Sequence, residues 1–72
     1  MYIVIEMQTD NNETSILPAI KKSDKLEAES AYYTIRSAAA ISDVDVHSAI
    51  MIDEHGNMLN SFYYEHINNV DS

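Results

Sequence analysis

Hydrophobic and polar positions along the chain predict four strands and one helix. The first run, Met1–Thr9, is rich in β-branched and aromatic residues and leads into turn-forming residues at positions 10–12. A second extended run, Thr14–Lys21, contains Pro18, which has no backbone N–H to donate to a neighbouring strand. We therefore expect a hairpin whose second strand lies at an edge of the sheet.

A helix is predicted after this hairpin, followed by a second hairpin. Ser23 is a candidate N-cap, and residues 24–41 contain neither Gly nor Pro. Strands over Val46–Ile52 and Met58–Ile67 flank the single glycine, Gly56, in a predicted three-residue loop. The order ββαββ predicts an α+β fold, a four-stranded and mainly antiparallel sheet with the helix packed on one face.

The predicted register of the second hairpin assigns each side chain to a face of the sheet. With a loop of residues 54–56, Ile52 lies opposite Met58. The face predicted to lie beneath the helix carries Val46, Ile50, Ile52, Met58, Phe62 and Tyr64. The other face is expected to remain uncovered, although it is only partly polar. Its proposed interface residues are Tyr2, Val4, His47, Ala49, Met51, Leu59 and Tyr63.

An uncovered apolar face on a small domain predicts association, most simply as a two-fold homodimer. The helix adds further uncovered apolar surface, because its apolar positions fall into two groups and one sheet can cover only one of them. The alternative is that these side chains are ordinary exposed surface, since much of any protein surface is apolar.

Composition narrows the classes of function. The chain has 72 residues, a formal net charge of −8 and no cysteine, which predicts a single domain over residues 1–67 and a frayed tail over 68–72. The acidic balance argues against direct nucleic-acid binding, because phosphate contacts need cations. We find no segment that predicts a membrane span or a signal peptide, so a cytoplasmic location is expected.

Candidate chemistry is sparse. The three histidines do not have the spacing of a metal site, and no catalytic residue or cofactor motif is found, so we predict neither an enzyme nor a metalloprotein. A small basic group could balance the acidic side chains of the helix, or it could bind an anion at a dimer seam with Tyr32 or Tyr33. It consists of Lys21, Lys22, Lys25 and Arg36.

Three stretches, Met1–Thr9, Glu27–Ala40 and Val46–Ala49, together resemble small uncharacterised proteins encoded by phages, prophages and mobile elements of gut Firmicutes. Residues 43–45, Asp-Val-Asp, replace a Ser-Val-Pro sequence of that group. The resemblance implies an accessory protein that binds or inhibits a host nucleic-acid-handling or defence protein.

Three hypotheses follow for the function. The first is a non-enzymatic protein-interaction module that docks through the uncovered sheet face. The second is a protein that sequesters a nucleotide or a similar anion, and the third is a structural or assembly protein of a virion.

Overall fold

A computed structural model describes residues 1–66 and confirms the α+β class, with one helix and a sheet in which every strand pair is antiparallel. The sheet has five strands rather than four, because the predicted second strand is divided around Pro18. The predicted frayed tail, 68–72, lies outside the described residues. The elements are β1 (Tyr2–Asp10), β2 (Glu13–Ile16), β3 (Ile20–Lys22), α1 (Lys25–Ala40), β4 (Val46–Asp53) and β5 (Met58–Glu65).

The strands lie in the order β2-β1-β4-β5, and β3 continues the edge beside β1 below β2. Asn11 and Asn12 both have positive φ, at 54° and 66°, as a two-residue hairpin loop of type I′ requires. The predicted turn and the edge position of the Pro18 segment are therefore confirmed.

Helix α1 begins one residue later than expected. Asp24, and not Ser23, is the N-cap, and its carboxylate accepts a hydrogen bond from the backbone N–H of Glu27 at 3.1 Å. The helix ends at Ala40 without Gly or Pro, and the N–H of Ile41 closes the last turn. Within residues 1–66, no helix is long and apolar enough to cross a membrane.

The connection β3–α1–β4 decides which face of the sheet the helix covers. Both strands are antiparallel to β1 and flank it on opposite sides, so they are parallel to each other and the helix crosses over β1. Glu6 of β1 faces the helix, and its carbonyl accepts from Leu17 on the β3 side. In a strand of L-residues, the direction of a side chain and the direction of the carbonyl of the same residue determine the hand of the crossover. Here the crossover is right-handed, as in nearly all such connections.

The β4–β5 hairpin has the predicted three-residue loop and the predicted Ile52–Met58 pair, but beyond that pair its register differs from the prediction. Gly56 adopts a φ of 82°, and the Asp53 carboxylate accepts hydrogen bonds from Asn57 and His55. The bonds from Asn57 are the main reason that the pKa of Asp53 is lowered. A bulge at Leu59 then shifts the pairing, so that Met51 lies opposite Asn60 and not opposite Leu59.

The bulge and the crossover reverse most of the predicted faces. Of the six residues predicted beneath the helix, only Phe62 and Tyr64 lie on that side. The hydrophobic core lies instead between α1 and the even-numbered side chains of β1 and odd-numbered side chains of β4. Its buried members are Val4, Ala28, Tyr32, Ile35, Ala49 and Met51.

Candidate docking surface

The face of the sheet that points away from α1 is apolar. Cross-strand pairing joins Ile3 to Ile52 and Ile5 to Ile50, so four isoleucines lie at its centre on β1 and β4. We call this surface the open face. It is defined by the apolar residues Ile3, Ile5, Met7, Ile16, Val46, Ile50, Ile52, Met58 and Tyr63.

The sequence pattern makes both sides of β1 and β4 apolar. β1 carries Ile3, Ile5 and Met7 on the open face, and the alternate positions include Val4, which is fully buried beneath the helix. A sheet that is covered on one face normally alternates apolar with polar side chains. The open face therefore has the composition of a covered surface.

The centre and the margins of the open face differ in exposure. The central isoleucines are partly buried by one another, whereas Ile16, Met58 and Tyr63 at the margins are 70%, 60% and 68% exposed. No helix contacts this side within residues 1–66, because α1 packs on the opposite face. The open face is therefore an apolar surface that the described part of the fold leaves uncovered.

Charge is confined to two corners of the open face. Lys21 of β3 lies beside Ile3, and Glu65 of β5 lies beside Val46. Every other strand residue on this face within residues 1–66 is uncharged. The polar ones are small and hydroxylated, namely Thr9, Thr14, Ser48 and Ser61.

Most of the interface residues predicted from the sequence lie on the other side of the sheet. This correction follows from the crossover for β1 and β4, and from the bulge for β5. Tyr63 alone lies on the open face, at its margin, and Leu59 is the exposed bulge residue. The other five residues face the helix, namely Tyr2, Val4, His47, Ala49 and Met51. All of them except Tyr2 are fully or nearly fully buried.

Polar groups are concentrated beneath the helix rather than on the open face. His47 is 4% exposed, and its Nε2 is hydrogen-bonded to Oε2 of Glu6, which also accepts from Gln8 at 3.2 Å. His47 Nδ1 is buried and has no hydrogen-bond partner among residues 1–66. In the shifted register, His47 lies opposite Tyr64 of β5.

A second polar contact on the covered side ties α1 to β5. Tyr32 is fully buried, and its hydroxyl donates to Oδ1 of Asn60 at 3.1 Å. Burial raises the pKa of Tyr32, because the phenolate would lose its hydration. Phe62 packs edge-on against Tyr32, with ring centroids 5.5 Å apart, and Arg36 lies over the outer part of the Phe62 ring.

The four basic residues considered for anion binding do not converge. Lys21 and Lys22 are neighbours on β3, and therefore lie on opposite faces of the sheet. Lys25 and Arg36 are eleven positions apart along α1, which corresponds to roughly 16 Å. Arg36 lies against Phe62 rather than beside a second cation.

The histidines are also dispersed. His47 is buried, His55 lies in the exposed hairpin loop, and His66 contacts the carbonyl oxygen of Ala39 through Nε2 at 2.7 Å. The rings of His47 and His66 both lie on the helix side of the sheet. Among residues 1–66 no group of three or more His, Asp or Glu side chains is arranged to hold a metal ion.

The side of the sheet that forms the open face could not be read from hydrophobicity. The centre of the open face includes Ile50 and Ile52, which were expected beneath the helix because their side of the hairpin is the more apolar one. The order of the strands, with β1 between β3 and β4, is the signal that would have corrected this expectation.

Comparison with protein-family profiles, curated protein sequences and solved structures finds no match for this chain.

Proposed function

We propose that the protein is a non-catalytic protein-interaction module and that the open face is its docking surface. The observation that carries this proposal is the pair of isoleucine rows on β1 and β4, which form an apolar surface without a covering element in residues 1–66. Large exposed apolar patches on small domains mark association sites.

The charge distribution supports the same function. The chain carries 12 acidic side chains, but among the described strand residues only Glu65 brings a carboxylate to the open face. The acidic groups can therefore remain hydrated at the rim while the centre is desolvated, which is the arrangement of a protein-binding surface with an apolar core and a polar rim.

Matched serine substitutions test the proposal. Ser48 lies among the apolar residues of the open face, whereas Ser37 is exposed on α1. Ser48→Glu adds a carboxylate to the docking surface without removing an apolar side chain, and Ser37→Glu makes the same change elsewhere. Far-UV circular dichroism and urea unfolding verify that both variants remain folded.

The readout is a capture experiment in which the chain is immobilised. It is exposed to an untagged copy of itself and to a host lysate, and each captured protein is identified by mass spectrometry. We expect Ser48→Glu to abolish capture of at least one identified protein that the wild type and Ser37→Glu retain. If the wild type captures no protein, or if every captured protein is retained by Ser48→Glu, the proposed function is wrong.

The biological setting implied by the sequence resemblance extends the proposal. A phage or mobile-element accessory protein in the cytoplasm would bind a host nucleic-acid-handling or defence protein. Capture with and without nuclease treatment tests this target directly, because a true protein contact survives removal of nucleic acid. A virion assembly role predicts instead that the chain co-purifies with particles.

A further inference from the structure

We propose that the open face is covered by a second copy of this chain, crossed over the first so that Lys21 of each copy pairs with Glu65 of the other. This inference rests on the proposed function, since it names the partner of the same surface. The argument has three parts, namely the charge of the face, the positions of its two charged residues and its area.

The open face suits contact with itself because its centre carries no charge. Two copies, each with a formal net charge of −8, repel one another wherever their carboxylates approach. Contact between the isoleucine rows keeps those carboxylates at the rim. A two-fold contact is self-complementary, so one apolar patch is sufficient for both sides of the interface.

The two charged residues stand at diagonally opposite corners. Lys21 lies on the β3 edge beside Ile3, and Glu65 lies on the β5 edge beside Val46. Three strand spacings and six residue positions separate them, which is roughly 14 Å across the sheet and roughly 20 Å along it. A two-fold axis in the plane of contact, perpendicular to this diagonal, exchanges the two corners.

This axis brings Lys21 of one copy over Glu65 of the other, and the symmetry repeats the ion pair at the opposite corner. It also fixes how the two sheets cross. From the spacings above, the strands of the two copies meet at roughly 70°, which is nearer to the orthogonal than to the aligned class of sheet packing. The charges thus select one orientation among those that the apolar surface alone allows.

The area is adequate for a reversible dimer. Four strand positions across and the eight residues of β4 along the sheet give a face of roughly 19 by 26 Å. Crossed copies overlap over roughly 360 Å² of flat sheet each, so about 700 Å² in total before the relief of the side chains is added. Weak, transient interfaces bury less than about 1,200 Å², so this face lies at the weak end of specific contacts, and we expect a dissociation constant between about 10 μM and 1 mM.

Sedimentation equilibrium of the full chain, from about 1 μM to about 1 mM, tests whether a second copy binds. We expect a monomer–dimer equilibrium that Ser48→Glu shifts to monomer and Ser37→Glu leaves unchanged. A monomer at every concentration overturns the inference. If such a monomer still captures another protein through the Ser48 surface, the proposed function stands while the second copy is excluded.

Charge reversal tests the crossing. Lys21→Glu makes each copy more acidic and Glu65→Lys makes it less acidic, so general repulsion would weaken the dimer in the first variant and strengthen it in the second. Local pairing predicts that each reversal weakens the dimer roughly tenfold. The double variant, which restores both pairs with reversed polarity, should return within roughly threefold of the wild type.

Matched controls are available elsewhere on the sheet. Lys22→Glu makes the same change on the opposite face of β3, and Glu13→Lys makes it on β2 away from the proposed pair. Both should alter the dissociation constant less than threefold, whereas added salt should reduce the effects at Lys21 and Glu65. A dimer strengthened by Glu65→Lys, or not rescued in the double variant, overturns the crossing. A dimer that Ser48→Glu leaves intact also overturns it, because the contact then lies elsewhere.

Discussion

The covered face and the open face belong to the same strands, yet their side chains follow different rules. The covered face contains Val4 and Met51, but also the Glu6–His47 pair and Asn60, all of which have partners across the sheet or on α1. The open face has more large aliphatic residues and almost no charge. Hydrophobicity by itself would choose the wrong face as the core.

The difference teaches that polar groups can identify a core as well as apolar ones. An unpaired buried polar group costs free energy, so most buried polar groups lie where other elements supply a hydrogen-bond partner. Tyr32 and Asn60 satisfy this condition between α1 and β5. The open face needs no such partners, because apolar side chains leave no hydrogen-bonding group unpaired when they are removed from water.

The strongest test of the comparison uses two adjacent residues of β4. Met51→Ala removes a side chain that is 1% exposed beneath the helix, and we expect a loss of about 2–5 kcal/mol in unfolding free energy. Ile50→Ala removes a half-buried side chain from the open face, and in the monomer it should cost about 1 kcal/mol. Urea unfolding at the lowest workable concentration measures both values.

Repeating these unfolding measurements at several protein concentrations separates the two faces further. If the open face is covered by a second copy, the loss caused by Ile50→Ala should grow as protein concentration rises, because association stabilises the folded state. The loss caused by Met51→Ala should change less. Equal losses for the two monomeric variants would contradict the assignment of the faces.

A second test concerns the polar pair of the covered face. His47→Leu leaves the Glu6 carboxylate with only its contact to Gln8, and we expect a loss of about 2–3 kcal/mol. The double variant with Glu6→Leu removes both partners and should recover most of that loss. Thermal and urea unfolding of the two single variants and the double variant form the cycle, and simple additivity of the losses would contradict a coupled pair.

The smallest effect is expected at Tyr32. Tyr32→Phe removes the hydroxyl that donates to Asn60 and should cost about 1 kcal/mol near neutral pH. Because burial raises the pKa of Tyr32 in the folded state, the unfolded chain loses this proton first as pH rises. This contribution to stability is therefore complete below pH 10.0, the ordinary value, and is lost as pH rises through the folded pKa.

Unfolding midpoints measured from neutral pH to about pH 11 check the Tyr32 prediction. The wild type should lose stability more steeply above the ordinary tyrosine pKa than Tyr32→Phe does. Tyr63→Phe, a matched change at an exposed tyrosine of the open face, is the control. Parallel pH profiles for the wild type and Tyr32→Phe would exclude the buried phenol as the source.

Much of the local structure could be predicted from the sequence. The turn at positions 11–12, the glycine loop of the second hairpin and the extent of α1 follow from short-range rules that depend on a few neighbouring residues. The errors in the first half are small: Pro18 divides one strand into two, and Asp24 replaces Ser23 as the cap. Each error changes the bounds of an element by a few residues and leaves the order of the elements unchanged.

The presence of an uncovered apolar face was predicted from the sequence, but most of its residues were not. An apolar sheet face beyond the reach of the single helix was expected, and the structure has one, but on the opposite side from the predicted residues other than Tyr63. Two long-range facts caused this. The bulge at Leu59 exchanges the faces of β5 relative to β4, and the central position of β1 sends the helix across one particular side.

The amino-acid sequence by itself determined the elements, their order and the presence of apolar residues on both sides of β1 and β4, because these depend on turn chemistry, helix capping and period-two alternation. Only the tertiary structure decided which side became the core. A right-handed crossover is a property of three strands and a helix together, and period-two alternation carries no sign of handedness. Ile50 and Met51, neighbours in the chain, were assigned to opposite environments by that geometry alone.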